Sequence, residues 1–373
     1  MRSRPCVDGG IDGERLRFVQ YHPRAASGDG GITNSVRQLA EGLSRAGVES
    51  VIVCDDDVPP PTMPGVEWRV VRHRRIGPIR VPIHLEGALV GADVVVLNSA
   101  WTVQNVAAGR AARRVGVPYV LAPRGGYEPG FLRRRRRVKR AWWRVAEGDL
   151  VRRCRAIHVF FAQEREQLEA LGYRGDLLVA PNGVLVPDGV HWNGEGGYLL
   201  YLGRFDPETK GLDLLLDAVA AAPAGSLPPL RLHGPDWRGG KDRVRAMIAA
   251  RQIGDRAIVG EALYGDEKWR TMAAATGFVY PSRWEGFGNA PAEAGAIGVP
   301  TLVTPYPLGR FLAERDAAIL VDPTVPGLLE GLARLVTADA ARLGSNAARL
   351  VGQEFTWDAA ARSWERQVAA WAV

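Results

Sequence analysis

Two short stretches combine residue types able to hold phosphate oxygens and paired hydroxyls. Gly203-Arg204-Phe205-Asp206-Pro207-Glu208-Thr209-Lys210-Gly211 places two cations at the ends of a short loop, directly after an apolar run that reads as a strand. Glu285-Gly286-Phe287-Gly288-Asn289-Ala290-Pro291-Ala292-Glu293 follows a second such strand and leads into a helix expected from near Asn289 to just before Gly298. Unpaired amides and the positive dipole end at a helix N-terminus hold phosphate oxygens, and glycines let a ligand approach the backbone. Glu293, about one turn inside that helix, can accept the two hydroxyls of a ribose, while Glu285 sits in the loop, nearer a group to be transferred. Arg204 and Lys210 opposite the helix tip make a diphosphate clamp, able to stabilise charge growing on a departing nucleoside diphosphate. No acidic metal-ligand cluster accompanies them, so the cations stand in for Mg²⁺, and neither metal nor cofactor is expected. The plainer reading makes Glu293 an exposed helix acid, Gly286 and Gly288 turn residues, and Arg204 and Lys210 solvated charges. Four elements meeting at one sheet edge favour the clamp.

That edge has to be built by the chain as a whole. After a polar tail at residues 1–15, β-branched runs at 16–21, 48–54, 66–72, 92–98, 117–122 and 156–161 alternate with helical patterns, as in a parallel sheet covered on both faces. The pattern lapses into Gly, Pro and Asn near 181–197 and restarts with strands at 198–203, 230–234, 256–260, 276–280, 300–304 and 317–321. The fold class expected is α/β, two doubly wound Rossmann-like domains facing across a cleft: 16–182, then 183–355, followed by a helix at 356–373. Trp357, Trp364 and Trp371, seven residues apart, give that last helix one aromatic face that packs back on a domain. Ligands of such sheets bind outside the carboxyl ends of the strands.

In the first domain, Gly28-Asp29-Gly30-Gly31 follows the first strand but lacks the spacing of a dinucleotide fingerprint, so NAD binding is not expected, although Gly30 and Gly31 can bring amides to a phosphate or sugar across the cleft. Ala122-Pro123-Arg124-Gly125-Gly126-Tyr127 puts Arg124 at the cleft mouth, equally readable as a loop cation. Asn98 and Trp101, at the end of the fourth strand, are candidates for acceptor contact. His158, inside an apolar strand, reads as a packed core histidine rather than a base.

The chain has 373 residues, 46% apolar and 24% charged, which excludes wholesale disorder. Cys6, Cys54 and Cys154 form no CxxC pair, which argues against a disulfide framework or structural zinc. With no apolar stretch long enough to span a bilayer and no apolar leader, the expected location is the cytoplasm. The net charge of +7 is local, because Arg133 to Arg140 carries seven cations. Residues 131–145 are expected to form one helix with Phe131, Val138, Trp142 and Val145 on one side. It either contacts an anionic membrane surface peripherally or lines an acceptor groove as a solvated segment. Nucleic acid is not expected as a partner, since no aromatic platform interleaves the charges.

These residues together resemble the retaining GT-B glycosyltransferases of family four, whose E-x7-E motif corresponds here to Glu285 and Glu293. The similarity runs from about residue 16 to the end, through GDGGITNSVRQLAEGL, APRGGYEP, PNGV, GRFDPETKG and GVPTLVT. The resemblance implies that Arg204 and Lys210 bind the donor diphosphate and Glu293 the ribose. Glu285, with Gly286 and the amides of Phe287, Gly288 and Asn289, would bind the sugar, and Gly30 and Gly31 would approach from the other domain. It further implies metal-independent transfer from a UDP-, GDP- or dTDP-sugar to a glycan, a lipid-linked sugar or a small molecule, with the anomeric configuration retained. Many members carry a histidine where this chain has Arg124. Two rival readings share the architecture: a nucleotide-sugar epimerase, and a non-catalytic sugar-binding protein that docks on membranes.

Overall fold

The computed structural model describes residues 15–371 apart from Asp29 and Ala338, so all of the 1–15 tail except Arg15, Cys6 with it, lies outside the described residues. The aliphatic runs form β1 (Arg17–Tyr21), β2 (Glu49–Cys54), β3 (Val66–Val70), β4 (His73–Ile76), β5 (Ile79–Pro82), β6 (Val94–Asn98), β7 (Tyr119–Ala122), β8 (Ala156–Val159) and β9 (Leu177–Val179). In the second half they form β10 (Leu199–Leu202), β11 (Leu230–His233), β12 (Ala257–Val259), β13 (Gly277–Tyr280), β14 (Thr301–Val303) and β15 (Ile319–Leu320). Seven strands make a parallel sheet in the order β3-β2-β1-β6-β7-β8-β9, and six make a second in the order β12-β11-β10-β13-β14-β15. The strand order reverses between β1 and β6 and between β10 and β13, and there a crevice opens beyond the carboxyl ends. Arg204 follows β10 and Glu285 follows β13, so the two motifs, 75 residues apart from Lys210 to Glu285, leave neighbouring strands.

The antiparallel hairpin β4–β5 is an element the sequence reading lacked. The run expected as a strand to residue 72 stops at Val70, and the chain turns back at Gly77, whose φ of +58° suits glycine.

Residues 131–145 do not form one helix, which corrects the expectation. Pro129 starts a short helix α2 (Pro129–Arg133), capped by the Glu128 carboxylate, which accepts the amides of Gly130 and Phe131. Arg134 is then extended and Arg135 left-handed (φ 54°) before α3 (Arg136–Trp142) and a π-helical turn, Trp143–Glu147. A continuous helix would stack Arg133 on Arg137 and Arg136 on Arg140, like charges one turn apart. Nor is there one apolar side: Val138 and Val145 are exposed, Phe131 and Trp142 half-buried.

The last helix, Trp357–Ala369, lies against helix α1 (Gly31–Arg45) of the first domain. Thr356 caps it by accepting the Ala359 amide, Trp364 packs edge-on to Phe18 at 5.5 Å, and Trp371 is half-buried under Arg155. His158 is buried, stacked on Trp364 at 4.7 Å, and burial holds its imidazolium well below the ordinary pKa. Phe160 and Phe161, just beyond β8, join the second domain's core around Phe287.

Candidate active site

On the second domain, the loop after β10 becomes a single helical turn, α4 (Pro207–Lys210). Asp206 caps it, accepting from the Thr209 amide (3.4 Å) and hydroxyl (2.7 Å), with proline in the first turn. Gly211 ends it with φ +66°, and a Cβ there would lie 2.1 Å from the Pro281 carbonyl oxygen. Only glycine lets this turn settle against the chain leaving β13. Lys210 consequently points at that chain and is 4% exposed. Its Nζ donates to Tyr280 Oη (2.8 Å) and pairs with Glu285 Oε2 (2.5 Å). Glu285 also accepts from Ser282 Oγ (3.2 Å) and Tyr280 Oη (3.4 Å). Burial, with Glu285 adding to it, pushes the Tyr280 phenol well above its usual range, so Tyr280 remains a neutral donor.

Arg204 is half-buried with its guanidinium 4.6 Å from the Trp237 ring, and no carboxylate among the described residues pairs with it. Facing this edge, helix α5 (Asn289–Ala296) begins at Gly288, whose φ is +89°. No side chain caps it and no acid occupies its first turn, so its leading amides keep their donors. Glu293 is half-buried and accepts from Lys268 Nζ at 2.9 Å. The Phe287 side chain is turned into the aromatic cluster with Phe160, Phe161 and Phe355, which leaves its backbone for any ligand.

The loops of the two domains touch here. A Cβ on Gly125 would come within 2.8 Å of Gly286 Cα, and one on Gly31 within 3.2 Å of Asn289 Nδ2, whereas Gly30 has open space beside its Cα. Asn182, in the PNGV linker, donates to Ser35 Oγ (3.0 Å) and Asn289 Oδ1 (3.1 Å), joining α1 to α5.

On the first domain, two expectations need correction, those for Arg124 and Asn98. Arg124 does not stand free at the mouth. Its backbone is left-handed (φ 51°), and the guanidinium turns inward to donate to Asn98 Oδ1 (2.9 and 3.1 Å) and Asn182 Oδ1 (3.4 Å). Burial lowers its pKa to about 10, which keeps it charged at neutral pH. Asn98 is fully buried between Arg124 and the Tyr21 carbonyl, so it supports the wall instead of reaching a ligand. Trp101, half-buried with φ 65°, is locked at both polar ends: its amide donates to Glu147 Oε1 (3.0 Å) and its indole to the Gly126 carbonyl (2.7 Å). Glu147 is fully buried and also accepts from Tyr127 Oη (2.7 Å) and Trp142 Nε1 (3.0 Å). It therefore organises an aromatic wall of Trp101, Tyr127 and Trp143, with Lys139 over Trp101 at 5.3 Å. His22, after β1, is buried beside Thr33 (3.2 Å). Desolvation, then Arg124, lowers its pKa to about 4.

Lys268, Tyr280, Ser282, Trp237 and Glu147 enter the site without standing out in the sequence. One signal was available. The chain has only four lysines among 48 basic residues, and all four (139, 210, 241 and 268) hold an acceptor or ring: Phe131 O and Trp101, Glu285, Glu261 and Glu293. Among the described residues, no three His, Cys, Asp or Glu side chains are grouped to hold a metal, and no helix is long and apolar enough to cross a membrane.

Two parallel doubly wound domains with these motifs at facing edges define the GT-B class, and comparison with solved structures agrees. Sucrose-phosphate synthase from Thermosynechococcus elongatus superposes with TM-score 0.78 at 19% identity, over 96% of this chain and 99% of that one. HepE of Anabaena, in complex with UDP and glucose, superposes with TM-score 0.73 at 16% identity, over 95% and 100%. The sequence families described as "Glycosyl transferase 4-like domain" and "Glycosyl transferases group 1" match residues 30–183 and 188–349. The chain belongs to the GT4-type glycosyltransferases of the GT-B fold. Among curated relatives, the phosphatidyl-myo-inositol mannosyltransferase of Mycolicibacterium smegmatis is 30% identical over 218 residues, 54% of this chain and 50% of that protein. The O-antigen chain mannosyltransferase B of Escherichia coli is 35% identical over 133 residues, 34% of this chain and 33% of that protein. The chain thus spans about a third to a half of the curated relatives it matches.

Proposed function

We propose that the chain transfers a sugar from a nucleotide-sugar donor to an acceptor hydroxyl in the cleft between its two sheets, without a metal ion and with retention at the anomeric carbon. The observation that carries this reading is the pairing of Arg204, which holds no carboxylate among the described residues, and buried Lys210 with the uncapped tip of α5, all at the switch between β10 and β13. Glu293 on the same helix is positioned for the ribose and Glu285 for the sugar. In the reaction the bond from the anomeric carbon to the diphosphate oxygen breaks as the acceptor oxygen attacks from the same face. The acceptor proton passes to the departing phosphate oxygen, and Arg204, Lys210 and the helix amides take up the charge that develops there. Retention follows from that same-face path.

HepE in complex with UDP and glucose supports a UDP-sugar donor, and the mannosyltransferase names among the relatives support a hexose as the transferred group; GDP- and dTDP-sugars belong in the same test. Acceptors in this reading are a glycan, a lipid-linked sugar or a small molecule. The exposed cations Arg133, Arg135, Arg136, Arg137 and Arg140, with exposed Val138, support peripheral contact with an anionic cytoplasmic membrane surface.

Incubation with UDP-, GDP- and dTDP-sugars and an acceptor panel tests the reading. Acceptor-dependent release of nucleoside diphosphate with an anomer-retained product is expected. Acceptor-independent isomerisation identifies an epimerase, and binding without turnover a sugar-binding protein; either result overturns the proposal. Turnover undiminished by EDTA is the expected sign of metal independence.

A further inference from the structure

The run Arg133-Arg134-Arg135-Arg136-Arg137-Val138-Lys139-Arg140 is monotonous as sequence, but the fold singles out one member. Of its six arginines only Arg134 is half-buried; the other five are exposed. The break between α2 and α3 lets Arg134 extend across the cleft. Its guanidinium meets Glu208 Oε2 at 2.6 Å and Asp206 Oδ2 at 3.7 Å, and lies 5.9 Å from the Trp284 ring. Asp206 caps the one-turn helix that ends in Lys210, Glu208 sits within that turn, and Trp284 precedes Glu285. One arginine of the first domain, with α2 before it, thus forms a strap that touches both loops of the second domain that carry the clamp. Beside it Gly130 lies so close to Trp284 that a Cβ would stand 2.0 Å from the indole nitrogen.

We propose that Arg134 is a positioning residue, holding the Pro207–Lys210 turn and the loop before Glu285 from across the cleft, so that the donor clamp has its working geometry only while the two domains are together. The proposal rests on the reading that Arg204 and Lys210 grip a diphosphate. Arg134 itself reaches the acids around the clamp rather than the donor site, and it acts through Asp206 and Glu208. A one-turn helix cannot hold itself in water, so its cap and its outside contacts decide where Lys210 stands.

The pair is partly exposed, with side-chain accessibilities of 37% for Arg134 and 65% for Glu208, so its loss should leave the melting temperature almost unchanged while altering donor use. The experiment measures KM for the sugar nucleotide, KM for the acceptor, kcat, and affinity for the free nucleoside diphosphate in the full chain. Arg134→Ala and Glu208→Ala are each expected to raise donor KM about two- to fivefold, with acceptor KM unchanged, and the double variant to be no worse than either single one. Arg134→Lys should recover part of the loss, and the exchange Arg134→Glu with Glu208→Arg most of it. Raising the ionic strength should narrow the gap between wild type and Arg134→Ala, since an exposed pair is screened. Gly130→Ala, which forces the strap off Trp284, should raise donor KM at least as much. Unchanged donor KM in Arg134→Ala, additive losses in the double variant, or a loss confined to melting temperature would each overturn the proposal. If nucleoside diphosphate affinity falls in Lys210→Ala but not in Arg134→Ala, the strap alone is wrong. If it falls in neither, the clamp is wrong and the strap with it.

Discussion

The facing edges of the two sheets solve opposite problems. On the second domain the charged groups sit in pairs that an incoming ligand can reorganise: Lys210 with Glu285, Lys268 with Glu293, and Arg204 resting on an indole. On the first domain the charged groups Arg124 and Glu147 are consumed by the wall itself. Arg124 is held by two asparagine oxygens, Glu147 by three donors, and His22 is kept neutral by burial. A diphosphate brings its own negative charge and needs cations able to change partners. An acceptor has to be placed with its hydroxyl at a fixed position, which favours a rigid surface already satisfied internally. Apart from Arg134 and Gly130, which act on the clamp from across the cleft, substitutions on the second-domain edge should therefore strike donor use, and those in the first-domain wall stability or acceptor use.

The largest contrast is expected from Lys210→Ala, which should lower kcat/KM by about 10²–10³-fold through lost stabilisation of the departing diphosphate. Because the substitution strands a mostly buried Glu285, melting should also fall; Lys210→Ala combined with Glu285→Gln should recover stability but not turnover. Next in size is a pH effect confined to the first domain. The His22 imidazolium is held down to about 4 in the folded chain against an ordinary 6.5, so protonation favours the unfolded state. Its neutral form contributes nothing extra above pH 6.5; as pH falls from 6.5 to 4 the folded state loses about 3 kcal/mol relative to a His22→Gln variant. Denaturant titrations of the two proteins at pH 7.5 and 4.5 measure this, and parallel behaviour at both values contradicts it.

Glu147→Gln follows, with a loss of about 2 kcal/mol from weakening three charge-assisted contacts. It should raise acceptor KM and leave donor KM alone; a donor-side effect would break the contrast between the edges. The smallest effect is expected from Lys268→Ala. The pair with Glu293 is partly exposed, so stability should change by less than about 1 kcal/mol while nucleotide affinity shifts by a few-fold. A collapse in stability there would show that this pair is structural.

Much of this arrangement could be read from the sequence because it depends on local order. An apolar run followed by GRFDPETKG or by EGFG places those groups at a strand's carboxyl end whatever the rest of the chain does, and the helix from Asn289 appears as expected. What could not be read depends on distant neighbours. Lys210 and Glu285 become partners only because β10 and β13 are adjacent in the sheet. Asn98 disappears from the surface because Arg124 folds over it, which requires β6 beside β7 and the linker at Asn182. The basic run departs from the single helix its pattern predicts, since helical periodicity takes no account of like charges one turn apart or of carboxylates waiting across the cleft.

The central claim is that Arg204, Lys210 and the start of α5 hold the diphosphate of a sugar nucleotide, and calorimetric titration with UDP, GDP and dTDP tests it most directly. Wild type should bind at least one of these, with affinity reduced about tenfold or more in both Arg204→Ala and Lys210→Ala, while the matching nucleoside without phosphates binds all three proteins equally weakly. Equal nucleoside diphosphate affinity in wild type and both variants would contradict the account.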